Sequence, residues 1–202
     1  MKTRILILLI AAIAVTSPAA AQQLFDFLGQ ANIPGGVGGH LSMYSLMADP
    51  APATTPLPLD FDNFEYTLVI ANLPMTVDGA PQEYAGGSIT IYEDAGTAAD
   101  YAFPATFVDG EAILSGTFAY LNRSMFTATL GSALGQVDWT GGTRLDDIAP
   151  ADRLDWPFFT GINAMSSQTE PGYDERWDGK VEPPDPIVAD EEMNWGDVKS
   201  AF

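Results

Sequence analysis

The most distinctive chemical signal in the sequence is a row of oxygen-bearing residues near the C-terminus. It reads DERWDGKVEPPD, and places an Asp-Gly pair at its fifth and sixth positions. A hard cation such as Ca²⁺ takes six to eight oxygen ligands, and a chain that wraps around it needs a sharp turn, which glycine supplies. The spacing therefore predicts a calcium site.

This segment resembles the calcium loop of EF-hand proteins, in the form found in dockerins and related secreted repeats. The resemblance covers residues 174–185 in a single copy, with Gly179 at the turn and Val181 at the inward-packing position. Arg176 stands where such loops usually carry Asp or Asn. The resemblance implies a low-affinity Ca²⁺ site of the kind found in extracellular modules. Its implied ligands are the carbonyl of Lys180 and the carboxylates of Asp174, Asp178, Glu182 and Asp185. The alternative is an acidic surface turn, because Asp and Gly are common in turns.

Other catalytic chemistry finds little support in the residue types. The chain has one histidine, His40, and no cysteine, so a zinc site is improbable and a Ser-His-Asp triad would have to use His40. Paired carboxylates can hydrolyse glycosides. Adjacent acidic pairs occur at Asp60/Asp62, Glu93/Asp94, Asp109/Glu111 and Asp146/Asp147. With 27 acidic residues such pairs are expected by chance, so we predict no catalytic residue and keep a secreted hydrolase as an alternative.

Aromatic residues offer a third kind of chemistry, the stacking of sugar rings. The candidates are Trp139, Trp156, Trp177 and Tyr101. Trp139 and Trp156 lie in apolar runs, which favours a place in the core for both. A carbohydrate-binding module that uses loop aromatics is therefore a second alternative.

The N-terminus predicts export. Residues 1–21 combine two cations, Lys2 and Arg4, with an apolar run from Ile5 to Val15 and small residues before Gln22. This is the pattern of a secretory signal peptide, and the run is too short to span a bilayer, which needs about 20 residues. We expect no membrane span after cleavage, and a secreted or periplasmic location.

The charge narrows the range of partners. The full chain carries a formal −19, which becomes −21 without the signal peptide. Binding to nucleic acid requires clustered Lys and Arg, so we expect no nucleic-acid partner. An exported chain without cysteine has no disulfides, which is more typical of bacterial export than of small eukaryotic secreted domains.

These residues must be positioned by an all-β domain. Short runs with period-two alternation recur from His40 to Trp139, for example at Tyr66, Leu68 and Ile70. The pattern predicts an antiparallel β-sandwich of jelly-roll type, with short helical turns near the C-terminus. We predict a signal peptide over 1–21, the sandwich over 22–164 and an acidic tail with the calcium-type loop over 165–202.

Taken together, the sequence predicts an exported, non-enzymatic structural or binding protein of the bacterial envelope or extracellular space. Its expected partners are a calcium ion and either a glycan or another envelope protein. Ca²⁺ is the expected cofactor.

Overall fold

The computed structural model describes residues 25–48 and 57–184, and its fold is an antiparallel β-barrel of eight strands. The strands are β1 (Phe25–Asn32), β2 (His40–Met47), β3 (Glu65–Val77), β4 (Gln82–Asp94), β5 (Glu111–Met125), β6 (Leu130–Gly141), β7 (Trp156–Asn163) and β8 (Glu175–Val181). Each strand pairs with the next along the chain, and β8 pairs with β1. The prediction of an all-β antiparallel fold is confirmed.

The prediction of a sandwich is wrong, because the sheet closes on itself. Strand β8 forms ladders with β7 on one side and with β1 on the other, from Phe25 opposite Val181 to Ala31 opposite Glu175. Closure removes the free edges that two packed sheets would leave. It also moves the expected boundary at residue 164, since residues 175–181, which we assigned to the tail, supply the last strand of the barrel.

The strand pattern comes from side chains that alternate between the lumen and the outside. Tyr66, Leu68 and Ile70 are buried in the lumen, as their period-two spacing predicts. The alternation is interrupted between Ile70 and Leu73, where Asn72 has a φ of 53° and Gly87 on the neighbouring strand has a φ of 63°. A Cβ at Gly87 would lie 2.6 Å from the Cα of Leu73, so this contact between β3 and β4 requires a glycine.

Aromatic side chains fill the lumen. The ring of Phe25 stacks on Trp156 with centroids 5.7 Å apart, and Trp139 meets Trp156 edge to face at 5.9 Å. A second group joins Phe158 to Phe27 at 5.3 Å. Such pairs add to the stabilisation that burial alone provides. The barrel interior is thus a packed core.

The two ends of the barrel differ. At the upper rim, the segments 57–64, 95–110 and 142–155 join the strands, and Leu57 and Ile148 are fully buried there. Short 3₁₀ turns occur at Pro104–Phe107, Leu145–Asp147 and Pro150–Asp152. At the lower rim, shorter connections over 33–39, 78–81 and 126–129 accompany the longer segment 164–174. The glycine-rich connection 33–39 is a turn, in which the amide of Gly39 donates to the carbonyl of Gly36.

Candidate ligand-binding surface

The residues of the predicted calcium site lie along an extended strand. Residues 175–181 form β8, with Asp178 on its outer face and its side chain 76% exposed. Asp174 precedes the strand and accepts a hydrogen bond from the amide of Ile33 at 2.8 Å. The ammonium of Lys180 donates to Glu182 at 2.8 Å. Asp185 lies outside the described residues.

The strand geometry separates the predicted ligands. An extended chain rises about 3.3 Å per residue, so the α-carbons of Asp174 and Asp178 are roughly 13 Å apart along the strand. Calcium ligands lie about 2.3–2.6 Å from the ion, so these two carboxylates do not reach one ion while β8 stays paired. Over residues 25–48 and 57–184, no cluster of three or more His, Asp or Glu side chains could hold a metal. Calcium binding by this segment stays a prediction.

Carboxylates of the predicted acidic pairs form structural contacts at the upper rim. Asp147 accepts a hydrogen bond from Arg144 at 3.0 Å, whereas its neighbour Asp146 accepts one from Arg153 at 3.1 Å. Glu93 accepts a hydrogen bond from the hydroxyl of Tyr66 at 2.6 Å. Burial and this carboxylate raise the pKa of Tyr66 to about 12. These carboxylates thus stabilise contacts within the upper rim.

A cleft of about 540 Å³ opens between the segments that precede β3 and follow β4. Its lining includes Asp62, Glu65 and Asp94. The amides of Gly96 and Thr97 both donate to Asp94 at 2.9 Å, and the amide of Ala99 donates to Glu65 at 2.7 Å. These bonds hold two of the carboxylates in place as turn-forming groups. The cleft is where the structure brings members of two predicted pairs together.

The aromatic residues expected to stack on sugars are engaged elsewhere. Trp139, Trp156 and Trp177 are all buried in the lumen. The core placement favoured for Trp139 and Trp156 is therefore confirmed, and an exposed Trp177 is not found. Tyr101 packs against Phe107 at 4.9 Å between ring centroids, and its hydroxyl donates to the carbonyl of Leu28. This contact fastens the segment 95–110 to the outer face of the barrel.

Sequence reasoning missed a polar network inside the lower end of the lumen. The guanidinium of Arg123 on β5 forms an ion pair with Glu175 on β8, and its Nη1 donates to Gln82 at 2.7 Å. The indole of Trp177 donates to Glu175 at 2.9 Å, and the hydroxyl of Tyr84 donates to Gln82 at 3.1 Å. Buried charges need such partners, because an unpaired one is costly. The network links opposite walls of the barrel.

Sequence reasoning also missed an apolar row on the outside. Phe159 on β7 lies directly opposite Leu134 on β6, and Tyr120 on β5 lies diagonally next to Leu134. Leu134 and Phe159 are 52% and 45% exposed, and Tyr120 is comparably open. We call these three residues the apolar row. The alternation of β6 could have shown it, because Ala133, Gly135 and Val137 fill the inward positions and leave Leu134 to face outward.

A small cavity lies beside the apolar row. It has a volume of about 260 Å³ and is lined by Gly161, Ile162, Asn163, Arg176 and Asp178. Gly161 faces Asp178 across the β7–β8 ladder, and Asn163 faces Arg176. We call this cavity the Gly161 notch. It combines a hydrogen-bond acceptor, a cation and an amide on one outward surface.

Among the described residues, no helix is long and apolar enough to cross a membrane. Comparison of the chain with protein-family models, curated proteins and solved structures finds no match.

Proposed function

We propose that this chain is an exported, non-enzymatic binding protein of the bacterial envelope or extracellular space, and that it binds through the outer face of β5–β8. The observation that carries this proposal is the apolar row formed by Tyr120, Leu134 and Phe159. Exposed apolar side chains that lie side by side, unlike those scattered singly over a surface, favour a place of interaction. The location rests on the signal-peptide pattern of residues 1–21, which lie outside the described residues.

The packing of the lumen supports binding on the outside. Trp139, Trp156 and Trp177 occupy the interior together with buried phenylalanines, so the barrel interior is taken up by side chains. A closed and filled barrel is a rigid scaffold, and rigid elements hold surface residues more precisely than loops do. Each member of the apolar row lies on a strand. Because these strands are already ordered, a partner that binds the apolar row causes only a small loss of conformational entropy.

The energy available from the row is modest and supplies one part of the affinity of a contact. Fully burying a large apolar side chain contributes about 1.5–3 kcal/mol, and the three members are roughly half exposed. Covering the row would contribute roughly 3 kcal/mol in total. A tenfold change in affinity corresponds to about 1.4 kcal/mol, so loss of one member should be measurable.

The surroundings of the row indicate its partner. Two cations, Arg176 and Lys180, lie on the outer face of β8 next to it, on a chain that is otherwise strongly acidic. Phe159 lies directly opposite Lys180. An uncharged or weakly acidic surface with apolar patches suits this face, whereas a polyanion would be repelled by the chain's net charge. A neutral glycan or another envelope protein meets this description.

Co-sedimentation of the purified chain with bacterial envelope fractions tests the proposal. Leu134→Lys should reduce the bound fraction at least fivefold, because it places a charge in the centre of the row. Leu154→Lys is the matched control, since Leu154 is 52% exposed but lies in the segment 142–155. Equal binding by both variants and the unchanged chain would overturn the proposal, as would the absence of sedimentation with every fraction.

The calcium proposal concerns a different part of the chain. The proposal of Ca²⁺ as a cofactor depends on the carboxylates of residues 174–185. Those that lie on or beside β8 can converge on one ion only if this strand leaves its ladders with β1 and β7. Removal of divalent ions should therefore leave the barrel folded. Thermal unfolding with and without a chelator measures this directly.

A further inference from the structure

The Gly161 notch exists because one outward position on β7 has no side chain. A Cβ at Gly161 would meet a single neighbouring atom within 4 Å, the carbonyl oxygen of Asp178 at 3.7 Å. The space above the backbone is therefore open. At other strand glycines, neighbouring atoms occupy the space where a side chain would lie. A Cβ at Gly179 would lie 2.6 Å from the Cβ of Thr160, and one at Gly135 would lie 2.6 Å from the carbonyl oxygen of Tyr120. Packing requires glycine at those positions but not at Gly161.

The walls of the notch present donors and acceptors at fixed places. Arg176 is held on two sides, because its Nη1 donates to Gln168 at 2.5 Å and its Nη2 lies 3.9 Å from Asp178. Asn163 accepts a hydrogen bond from the amide of Met165 through its Oδ1, which leaves its Nδ2 hydrogens to donate to a ligand. Asp178 provides exposed acceptor oxygens. A hydroxyl group both donates and accepts, so it can be recognised by this mixture.

A flat apolar surface adjoins these polar groups. Phe159 precedes Gly161 by two residues and therefore faces the same side, about 7 Å away along the strand. Phe159 is 45% exposed. An aromatic ring beside clustered donors and acceptors can cover the apolar face of a sugar while its hydroxyls bind the polar groups. The volume of about 260 Å³ is slightly below that of sites for drug-sized molecules, which suits one or two sugar units.

We propose that the Gly161 notch is a binding site for a neutral saccharide, with Phe159 as its stacking surface. This inference rests on the proposed function of the same face and names its ligand class. The carboxylate of Asp178 and the formal −21 of the exported chain disfavour glycans that carry carboxylates or phosphates. An acidic sugar in the notch would meet the carboxylate of Asp178 as well as the guanidinium of Arg176, which lies 3.9 Å from it, so the notch offers no unopposed positive charge.

The test is an array of neutral and acidic oligosaccharides, followed by calorimetry with the best neutral binder. Gly161→Val fills the notch from its floor, and Gly36→Val is the matched control, because a Cβ at Gly36 meets nothing within 4 Å. We expect Gly161→Val to weaken binding at least tenfold and Gly36→Val to leave it unchanged. Asp178→Asn keeps the size of the side chain, and should weaken binding by removing the charged acceptor. Thermal unfolding of each variant verifies the fold.

Two results would overturn the inference: no binding of any neutral oligosaccharide, or equal binding by the unchanged chain and Gly161→Val. A preference for acidic glycans would also contradict it. These failures are separate from failure of the proposed function, because envelope binding that depends on Leu134 but not on Gly161 would retain the apolar row as a protein-binding surface.

Discussion

The ion pair between Arg123 and Glu175 offers the sharpest test of how the barrel is held closed. Glu175 is 3% exposed and receives hydrogen bonds from the Nε and Nη2 of Arg123 and from the indole of Trp177. Replacing Glu175 with methionine introduces an apolar side chain of similar length and leaves the guanidinium of Arg123 in the lumen without its anion. Arg123→Met leaves the carboxylate unpaired in the same way.

The expected magnitude follows from the burial of both groups. Breaking a buried ion pair by removing one partner costs about 3–5 kcal/mol, a large share of the 5–15 kcal/mol that stabilises a typical domain. For a barrel of this size each kcal/mol lowers the melting temperature by roughly 2–4 °C, so each single variant should lose roughly 6–20 °C. The double variant removes both charges and leaves the indole of Trp177 without its acceptor, which costs about 1–3 kcal/mol, whereas Gln82 still accepts a hydrogen bond from the hydroxyl of Tyr84. The double variant should therefore be more stable than either single one.

Urea unfolding monitored by tryptophan fluorescence measures all four members of the cycle, because Trp156 and Trp177 are buried and report on the core. We expect a coupling energy of at least about 3 kcal/mol between the two positions. Single variants that each cost less than about 1 kcal/mol, or whose costs add in the double variant, would refute the argument that this pair is a desolvated link across the lumen.

Three further predictions concern backbone strain, pH and calcium. Gly87→Ala should cost at least about 1 kcal/mol in urea unfolding, because its φ is 63° and its Cβ would meet Leu73, whereas Gly36→Ala in an open turn should change stability by less than about 0.5 kcal/mol. Burial raises the pKa of Tyr84 to about 12, so the folded state keeps a proton that the unfolded state loses near pH 10. Stability should thus fall as the pH rises from about 10 to 12, and Tyr84→Phe should flatten that fall; a pH-independent midpoint would contradict it. Because Asp174 and Asp178 can share an ion only when β8 leaves its ladders, calorimetric titration of the full chain with Ca²⁺ should show binding no tighter than about 10⁻³ M, the weak end of extracellular sites, and equal heats from the full chain and Asp178→Ala would exclude this residue as a ligand.

The alternation of side chains could be predicted from the sequence because it is a local property. Tyr66, Leu68 and Ile70 occupy every second position, and they face the core in any antiparallel sheet. The same reasoning failed at β8. Trp177, Gly179 and Val181 alternate with the charged residues 176, 178 and 180, but the pair Asp178-Gly179 suggested a turn. Gly179 serves a close approach to Thr160 instead, which local sequence does not show.

The candidate binding face was beyond local reasoning for a related reason. Leu134 and Phe159 are separated by 24 intervening residues, and only the register of β6 and β7 places them side by side. The open space at Gly161 likewise depends on what lies across the ladder, since other glycines in the same sheet are closely packed. A sequence that shows a glycine does not show whether the space beside it is filled.

By itself, the sequence determined the composition of the strands, the direction in which most of their side chains face, the strong negative charge and the pattern expected of an exported chain. The tertiary structure decided that the sheet closes, because Phe25 pairs with Val181 across almost the whole described chain. Period-two alternation requires one apolar face, and both a sandwich and a barrel satisfy that requirement. Closure is decided by which strands pair at the two ends of the chain, and this in turn determines which residues meet in the lumen and which side chains share the outer face.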